Sequence, residues 1–162
     1  AAAGVLWLGA KRPDILVSAQ GDAVAVLTPA GRVPSKPGGG SFAVESWLKA
    51  DGDAADQAGA AARPLWQGPP ANRWAELDRG GIRLRIRHLT GRATREDARG
   101  HCREGGILVA NAALSPSPAT LGECLVLDPP YLRKHGAVAI FLEPFGPRYV
   151  SVDRPGIRRL WH

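Results

Sequence analysis

The sequence has 162 residues, a hydrophobic content of 44% and a net charge of +6 at pH 7. This length and composition favour one globular domain with a single core and argue against two domains. Arg makes up 17 of the 21 basic residues, which suits contacts with nucleic acid or an anionic membrane surface. A GC-rich genome imposes the same enrichment of Arg, Ala, Gly and Pro, so bulk charge does not decide between these explanations.

The chain contains no Met, and we expect it to be part of a longer protein. Residues 1–10, AAAGVLWLGA, are apolar, whereas about 20 apolar residues are needed to cross a bilayer. Three interpretations stay open for this segment: the tail of a transmembrane helix, a buried first strand or helix, and the remainder of a signal sequence.

The first third of the chain alternates apolar runs with turn residues. Residues 13–32 predict two strands joined at Gln20, Gly21 and Asp22. Residues 33–40, VPSKPGGG, predict a loop. Ser41 is the expected N-cap of a helix that ends at residues 51–52, and residues 54–71 predict an irregular connection.

Residues 73–89 predict a second hairpin with Gly80 and Gly81 in its turn. Its second arm alternates strictly, which predicts that Ile82, Leu84 and Ile86 face the core. The opposite face then carries three cations about 6.6 to 7 Å apart, near the phosphate repeat of an extended single strand: Arg83, Arg85 and Arg87. This row favours either a nucleic-acid contact or an ordinary solvent-facing, ion-paired strand. Trp66 and Trp74 are near in sequence and suited to base stacking, although nothing in the pattern places them beside the row.

The second half of the chain predicts short elements in a mixed order. Thr94 caps an expected short helix that residues 105–106 end. Strands follow at ILVANAAL and CLVLD, and a short helix at PPYLRKH ends at Gly136. A last hairpin is expected to turn at residues 145–147. Strands outnumber helices, so the predicted fold class is a mixed α/β layered domain.

Residues for metal or nucleophilic chemistry are sparse. A binuclear hydrolase needs clustered His and Asp, and none of the four His has another His or Asp at ligand spacing. His88, His101 and His135 are each more typical of polar surface or cap positions. No nucleophile motif appears, and Glu45, Asp51 and Asp53 are interpreted as a solvated helix end. The sequence therefore predicts no catalytic residue, no metal ligand and no cofactor.

The two cysteines, Cys102 and Cys124, lie 22 positions apart without metal-like spacing. In an oxidising compartment they would form a disulfide worth roughly 3 kcal/mol in the chain-entropy model. Two buried thiols are the alternative.

Several segments together resemble the C-terminal region of ComEC-type competence proteins, the inner-membrane channels for DNA uptake, in their alphaproteobacterial form. The matching segments occur in the family's order and cover most of residues 13–162: RPDILVSAQGDAVAVLTPAGR, GGSFAVESWLKADGD, the Cys102 segment before GGILVANAAL, Cys124 before LDPPYLRKHGAVAIFLEP, and RRLWH. SFAVESWLKADGD stands near the position where hydrolytic relatives carry a H-x-H-x-D-H run.

The resemblance implies a reduced, degenerate metallo-β-lactamase-like αββα sandwich over residues 13–162. Residues 1–12 would then be the end of a preceding transmembrane helix or a linker. It also implies a periplasmic domain of a bacterial inner-membrane protein, in which Cys102 and Cys124 are bonded. Lys11 and Arg12 by themselves favour the cytoplasmic side. Two charges are weak evidence, and we expect the periplasmic side that the resemblance implies.

The expected function is a non-hydrolytic module of a channel that imports single-stranded DNA in transformation. Its partners would be single-stranded DNA and the channel portion of the same polypeptide, with no small-molecule substrate. Two alternatives remain: a metal-dependent nuclease acting on the non-transported strand, and a purely structural cap of the channel.

Overall fold

A computed structural model describes residues 11–91, 106–114 and 124–152. The described residues form three helices, α1 Ser41–Ala50, α2 Gln57–Ala61 and α3 Pro129–His135, and nine strands. The strands are β1 Ile15–Val17, β2 Val24–Thr28, β3 Gly31–Pro34, β4 Asn72–Arg79, β5 Ile82–Leu89, β6 Gly106–Ala110, β7 Cys124–Leu127, β8 Val138–Glu143 and β9 Gly146–Ser151.

The strands form two sheets. The first has the order β3-β2-β1-β8-β9 and is antiparallel throughout. The second has the order β4-β5-β6-β7, in which β4 and β5 form an antiparallel hairpin and β5, β6 and β7 run parallel. Because parallel strands end at the same edge of a sheet, β5, β6 and β7 end together, close to the turn between β1 and β2.

The main core lies between the two sheets. Ile15 and Ile140 of the first sheet and Ile86 and Val109 of the second belong to one cluster of buried side chains. Trp66 closes this cluster, and its indole N–H donates to the Val33 carbonyl at 3.0 Å. The alternation of apolar residues along these strands therefore produces a two-sheet sandwich.

The helices α1 and α2 pack beside the first sheet. Val44 and Leu48 of α1, Ala60 of α2 and Ala23 form a second buried cluster. Helical spacing places Val44 and Leu48 on one face, as the sequence pattern predicts. The predicted mixed α/β class is confirmed, with a sandwich-like arrangement of the two sheets.

Local details differ from the sequence predictions in four places. Residues 31–34 form strand β3 where a loop was expected from residue 33, and Pro34 is tolerated because β3 is an edge strand. Helix α2 lies within the expected irregular connection, capped by the Asp56 carboxylate on the Gly59 N–H at 2.7 Å. Gly40 at φ 58°, rather than Ser41, is the N-cap of α1. The last hairpin turns at residues 144–145.

In the described ranges, no helix combines the length and hydropathy needed to cross a membrane. Residues 1–10, the 94–105 helix and the 115–123 loop of the sequence predictions lie outside the described residues.

Candidate nucleic-acid interface

Strand β5 presents its two sets of side chains as the alternation predicts. Leu84 and Ile86 are buried in the main core. The arginine row, Arg83, Arg85 and Arg87, lies on the opposite face of the second sheet, where Arg83 is exposed and Arg85 and Arg87 are half-buried. The side chain of Arg83 is 84% exposed and that of Arg85 30%. Because Leu84 and Ile86 face the core, the alternation of side chains along the strand places the arginine row on the opposite face.

Strand β4 supplies partners across the hairpin. The register pairs Arg83 with Asp78 and Arg85 with Glu76. The guanidinium of Arg85 binds the Glu76 carboxylate, whereas Arg83 and Asp78 are 4.0 Å apart and both largely exposed. Exposed ion pairs of this kind contribute about 0 to 1 kcal/mol, so phosphate can exchange for either carboxylate.

Trp74 lies beside the arginine row. The register places it opposite Arg87, and the Arg85 guanidinium lies over its ring at 5.2 Å from the centroid. The sequence alone leaves the position of Trp74 open. A two-residue turn at Gly80 and Gly81 fixes the register of the hairpin, and this register places Trp74 opposite Arg87. Trp66, the second aromatic candidate, is in the core and unsuited to stacking on bases.

Arg87 is held more firmly than the other two cations. Its guanidinium donates to the Asn72 side-chain oxygen at 2.9 Å, and the residue is partly buried. The interface therefore combines an accessible cation, a cation stacked on an indole, and an anchored cation. A phosphodiester strand with unstacked bases suits such a surface, because the guanidinium groups bind phosphate and the indole stacks on bases.

The inward face of β5 carries His88, which is fully buried. The prediction of a polar surface or cap position for His88 is wrong, because the residue continues the inward series of Leu84 and Ile86. Its Nε2 lies 2.9 Å from the Gly21 carbonyl, which only accepts, so Nε2–H is the donor. The Ser35 hydroxyl, 2.7 Å from Nδ1, then donates to the other ring nitrogen.

His88 joins the two sheets in an uncharged form. Burial lowers the pKa of His88 to about 4, chiefly because the charged imidazolium would lose its hydration. Both ring nitrogens have hydrogen-bond partners, so coordinating a metal would require breaking one of these bonds. In this arrangement His88 is a structural residue.

Gly21 is required where it lies. Its φ is +68°, and a Cβ at this position would collide with the Ala110 carbonyl oxygen at the end of β6. The same turn is fixed by Ser18, whose hydroxyl donates to Asp22 at 2.6 Å and accepts from the Ala23 N–H at 3.0 Å. The Gly21 carbonyl, which accepts the hydrogen bond from His88, is therefore held in place by the close approach to β6 and by the hydrogen bonds of Ser18.

Of the three carboxylates predicted to form a solvated helix end, Glu45 is exposed, whereas Asp51 and Asp53 bind arginines of the first sheet and its surroundings. Asp51 pairs with Arg32, a side chain only 1% exposed. Asp53 pairs with Arg63, which holds the pKa of Asp53 below its usual range. Both acids serve the fold.

The described residues contain no group of three or more His, Cys, Asp or Glu side chains placed to hold a metal ion. His135 is in the last turn of α3, its ring centroid 4.4 Å from that of Tyr131. His101 and His162 lie outside the described residues.

Cys124 begins β7 and is disulfide-bonded. Cys102, its predicted partner, lies outside the described residues, so the pairing itself stays a prediction.

Comparison of the chain with family models, with curated proteins and with solved structures finds no match.

Proposed function

We propose that this chain is the periplasmic C-terminal domain of a ComEC-type inner-membrane channel and that it contacts single-stranded DNA during uptake. In this proposal the two-sheet sandwich is a reduced metallo-β-lactamase-like fold, and the preceding channel portion of the same polypeptide is its permanent partner. The domain guides or holds the strand and does not hydrolyse it.

The observation that carries the proposal is the arginine row beside Trp74. Three guanidinium groups lie on one face of one strand, and Arg85 lies over the indole of Trp74 at 5.2 Å. Phosphate contacts and base stacking are the two interactions that non-specific single-strand binders combine. The paired carboxylates, Glu76 and Asp78, are surface groups that the strand's phosphates can displace.

The non-hydrolytic part of the proposal is supported by how His88 is used. Its imidazole is fully buried, and both ring nitrogens bond to protein groups, at 2.7 Å to Ser35 and 2.9 Å to Gly21. Incubation of the chain with a labelled single strand and Zn²⁺ or Mn²⁺ tests this part. We expect the strand to stay intact, and metal-dependent cleavage that chelation abolishes would favour the nuclease alternative.

The DNA contact is tested with the triple variant R83Q/R85Q/R87Q and a labelled oligothymidylate in fluorescence anisotropy. We expect the affinity to fall about tenfold at low salt, because the variant loses three phosphate contacts. The surface ion pairs lost with them contribute little to stability. Circular dichroism of the variant checks that the fold is kept.

A matched control removes the same charge elsewhere. Lys49, Arg133 and Lys134 are exposed residues on helices, and K49Q/R133Q/K134Q lowers the net charge by the same three units. We expect this control to bind nearly as the parent does. Equal losses in the two triple variants would show that net charge alone attracts the DNA and would contradict the assignment of the row.

A further inference from the structure

The turn between β8 and β9 exposes a large apolar side chain at its tip. Phe145 is 103% exposed, and Pro144 beside it is also exposed. Among the described residues, large apolar side chains are exposed at four positions: Phe42, Phe145, Tyr149 and Val152. Phe145 is the most exposed of the four, on a two-residue turn that closes the hairpin. A fully hydrated phenyl ring at a hairpin tip contributes nothing to the fold.

This tip lies close to Lys11, the first described residue. Lys11 donates from Nζ to the Leu142 carbonyl at 2.9 Å, three residues from Phe145. The register continues this neighbourhood, since Ile15 pairs with Ile140 and the preceding residues run antiparallel towards the tip. Lys11, which directly follows the apolar segment AAAGVLWLGA in the sequence, therefore lies at the end of the sandwich that carries Phe145.

Cations surround the tip. Lys11, Arg12 and Arg148 are exposed there, and Arg79 is close by through its 2.8 Å bond to Asp14. The anions of this end are Asp14, which is buried, Glu143, which binds Arg148 at 2.8 Å, and Asp51, which accepts from Arg12 through its carbonyl oxygen at 3.3 Å and binds the buried Arg32 through its carboxylate. With Arg32 included, five cations against three anions leave this end positively charged. An exposed aromatic ring ringed by Lys and Arg matches the interface of an anionic bilayer.

We propose that the Phe145 tip inserts into the headgroup region of the anionic membrane from which the chain emerges. The proposal rests on the proposed function in taking residues 1–12 as the end of a membrane helix. The phenyl ring buries apolar area at the boundary between the headgroups and the acyl chains, while Lys11, Arg12 and Arg148 contact lipid phosphates. The contact would fix the orientation of the sandwich relative to the channel.

The chain offers a matched control at the opposite end of the sandwich. Phe42 is 87% exposed in the first turn of α1. The preceding Gly40 packs against Asp22 and Ala23, in the turn at the far end of β1 from Lys11. Phe42 and Phe145 are thus similarly hydrated rings at opposite ends of the first sheet.

The test is co-sedimentation of the full chain and its variants with vesicles containing phosphatidylglycerol. We expect F145S to lower the partition coefficient about tenfold, the loss of one buried aromatic side chain. F42S should bind as the parent does. Because both positions are exposed, neither variant is expected to disturb folding. Equal binding by F145S and F42S would overturn the proposal.

The charge contribution has its own pair of variants. R12Q should weaken binding to phosphatidylglycerol vesicles about fivefold and leave the weaker binding to pure phosphatidylcholine unchanged. K134Q, on α3 away from the tip, should change neither. Loss of binding in R12Q on both lipids, or no loss on either, would contradict the anionic-surface assignment.

A depth measurement separates the tip from any contribution of residues 1–10. In vesicles with brominated acyl chains, the additional emission of F145W should be quenched and that of F42W should not. Quenching of neither would overturn the proposal even if the whole chain binds. Since the oligothymidylate titration contains no lipid, a failure here leaves the DNA contact standing, and loss of the DNA contact leaves this test intact.

Discussion

The two faces of β5 carry polar groups that differ in burial: those on the inward face are buried, and those on the outward face are more exposed to water. On the inward face, His88 is fully buried, and both ring nitrogens bond to fixed groups, the Ser35 hydroxyl and the Gly21 carbonyl. On the outward face, Arg83 pairs with Asp78 and Arg85 with Glu76, and both carboxylates remain largely exposed to water. One alternating strand therefore supplies both an internal tie between the sheets and a candidate binding surface.

This difference shows where polar interactions support the fold and where they remain exchangeable. A buried hydrogen bond cannot be replaced by water, so losing one partner leaves the other unsatisfied at a cost of about 1 to 3 kcal/mol. A surface ion pair competes with water and salt throughout and contributes about 0 to 1 kcal/mol. Stability should depend on the inward face, and DNA affinity on the outward one.

The largest expected effect is that of H88A. The substitution leaves the Ser35 hydroxyl and the Gly21 carbonyl unpaired in the core and opens a cavity between the two sheets. We expect the free energy of unfolding to fall by about 4 kcal/mol. Urea denaturation at pH 7 measures this change.

H135A is the control for the loss of an imidazole. His135 is half-buried at the end of α3, and the ring packs against Tyr131. We expect a loss below about 1 kcal/mol. Similar losses in H88A and H135A would contradict the role of His88 as a tie between the sheets.

The next largest effect is the pH dependence that His88 confers. The imidazole titrates near 6.5 when unfolded, and its pKa is about 4 in the folded protein. Between these values the unfolded state binds more protons, so the free energy of unfolding decreases as pH falls. At about 1.4 kcal/mol per pH unit, this one group removes about 3 kcal/mol between pH 7 and pH 4.

Comparison with H88Q isolates this contribution from that of the carboxylates. We expect unfolding curves recorded from pH 7 to pH 4 to be steeper for the parent chain than for H88Q. Parallel pH profiles for the two proteins would show that His88 is charged in the fold or does not titrate, which would contradict its uncharged state between the sheets.

The features of β5 that follow from the alternation of its own residues can be predicted from the sequence, whereas those that depend on contacts with other segments cannot. Alternation along residues 82–87 suffices to place Arg83, Arg85 and Arg87 on one face, and the structure has them there. Continued by one step, the same alternation places His88 inside. A histidine after an Arg-rich strand is more typical of a surface, and relying on that tendency gave the wrong prediction.

The remaining features arise from partners distant in sequence. Ser35 and Gly21 lie 53 and 67 positions from His88, so no local pattern announces these hydrogen bonds. Strand β3 forms because its residues pair with β2 in spite of Pro34. Helix α2 has too few apolar residues for a helical pattern and depends on its Asp56 cap and on Ala60 packing against α1.

The smallest effect on stability is expected from E76Q, which removes the carboxylate partner of Arg85. Because the pair is exposed, the free energy of unfolding should change by less than about 1 kcal/mol. Single-stranded DNA affinity should rise, by about threefold at low salt, since a competing negative charge leaves the row. Anisotropy titrations measure the gain, and weaker DNA binding by E76Q would contradict the view that phosphate exchanges for this carboxylate.

The most direct test of the central claim is the salt dependence of single-stranded DNA binding, compared between the parent chain and R83Q/R85Q/R87Q. Three phosphate contacts give a slope of log affinity against log salt of about −2, from roughly −0.7 per phosphate. We expect the parent to show this slope and the triple variant, while still folded by circular dichroism, to lose most of it. If the variant keeps the parent's slope and affinity, the arginine row is an ordinary ion-paired strand surface and the proposed DNA contact is wrong.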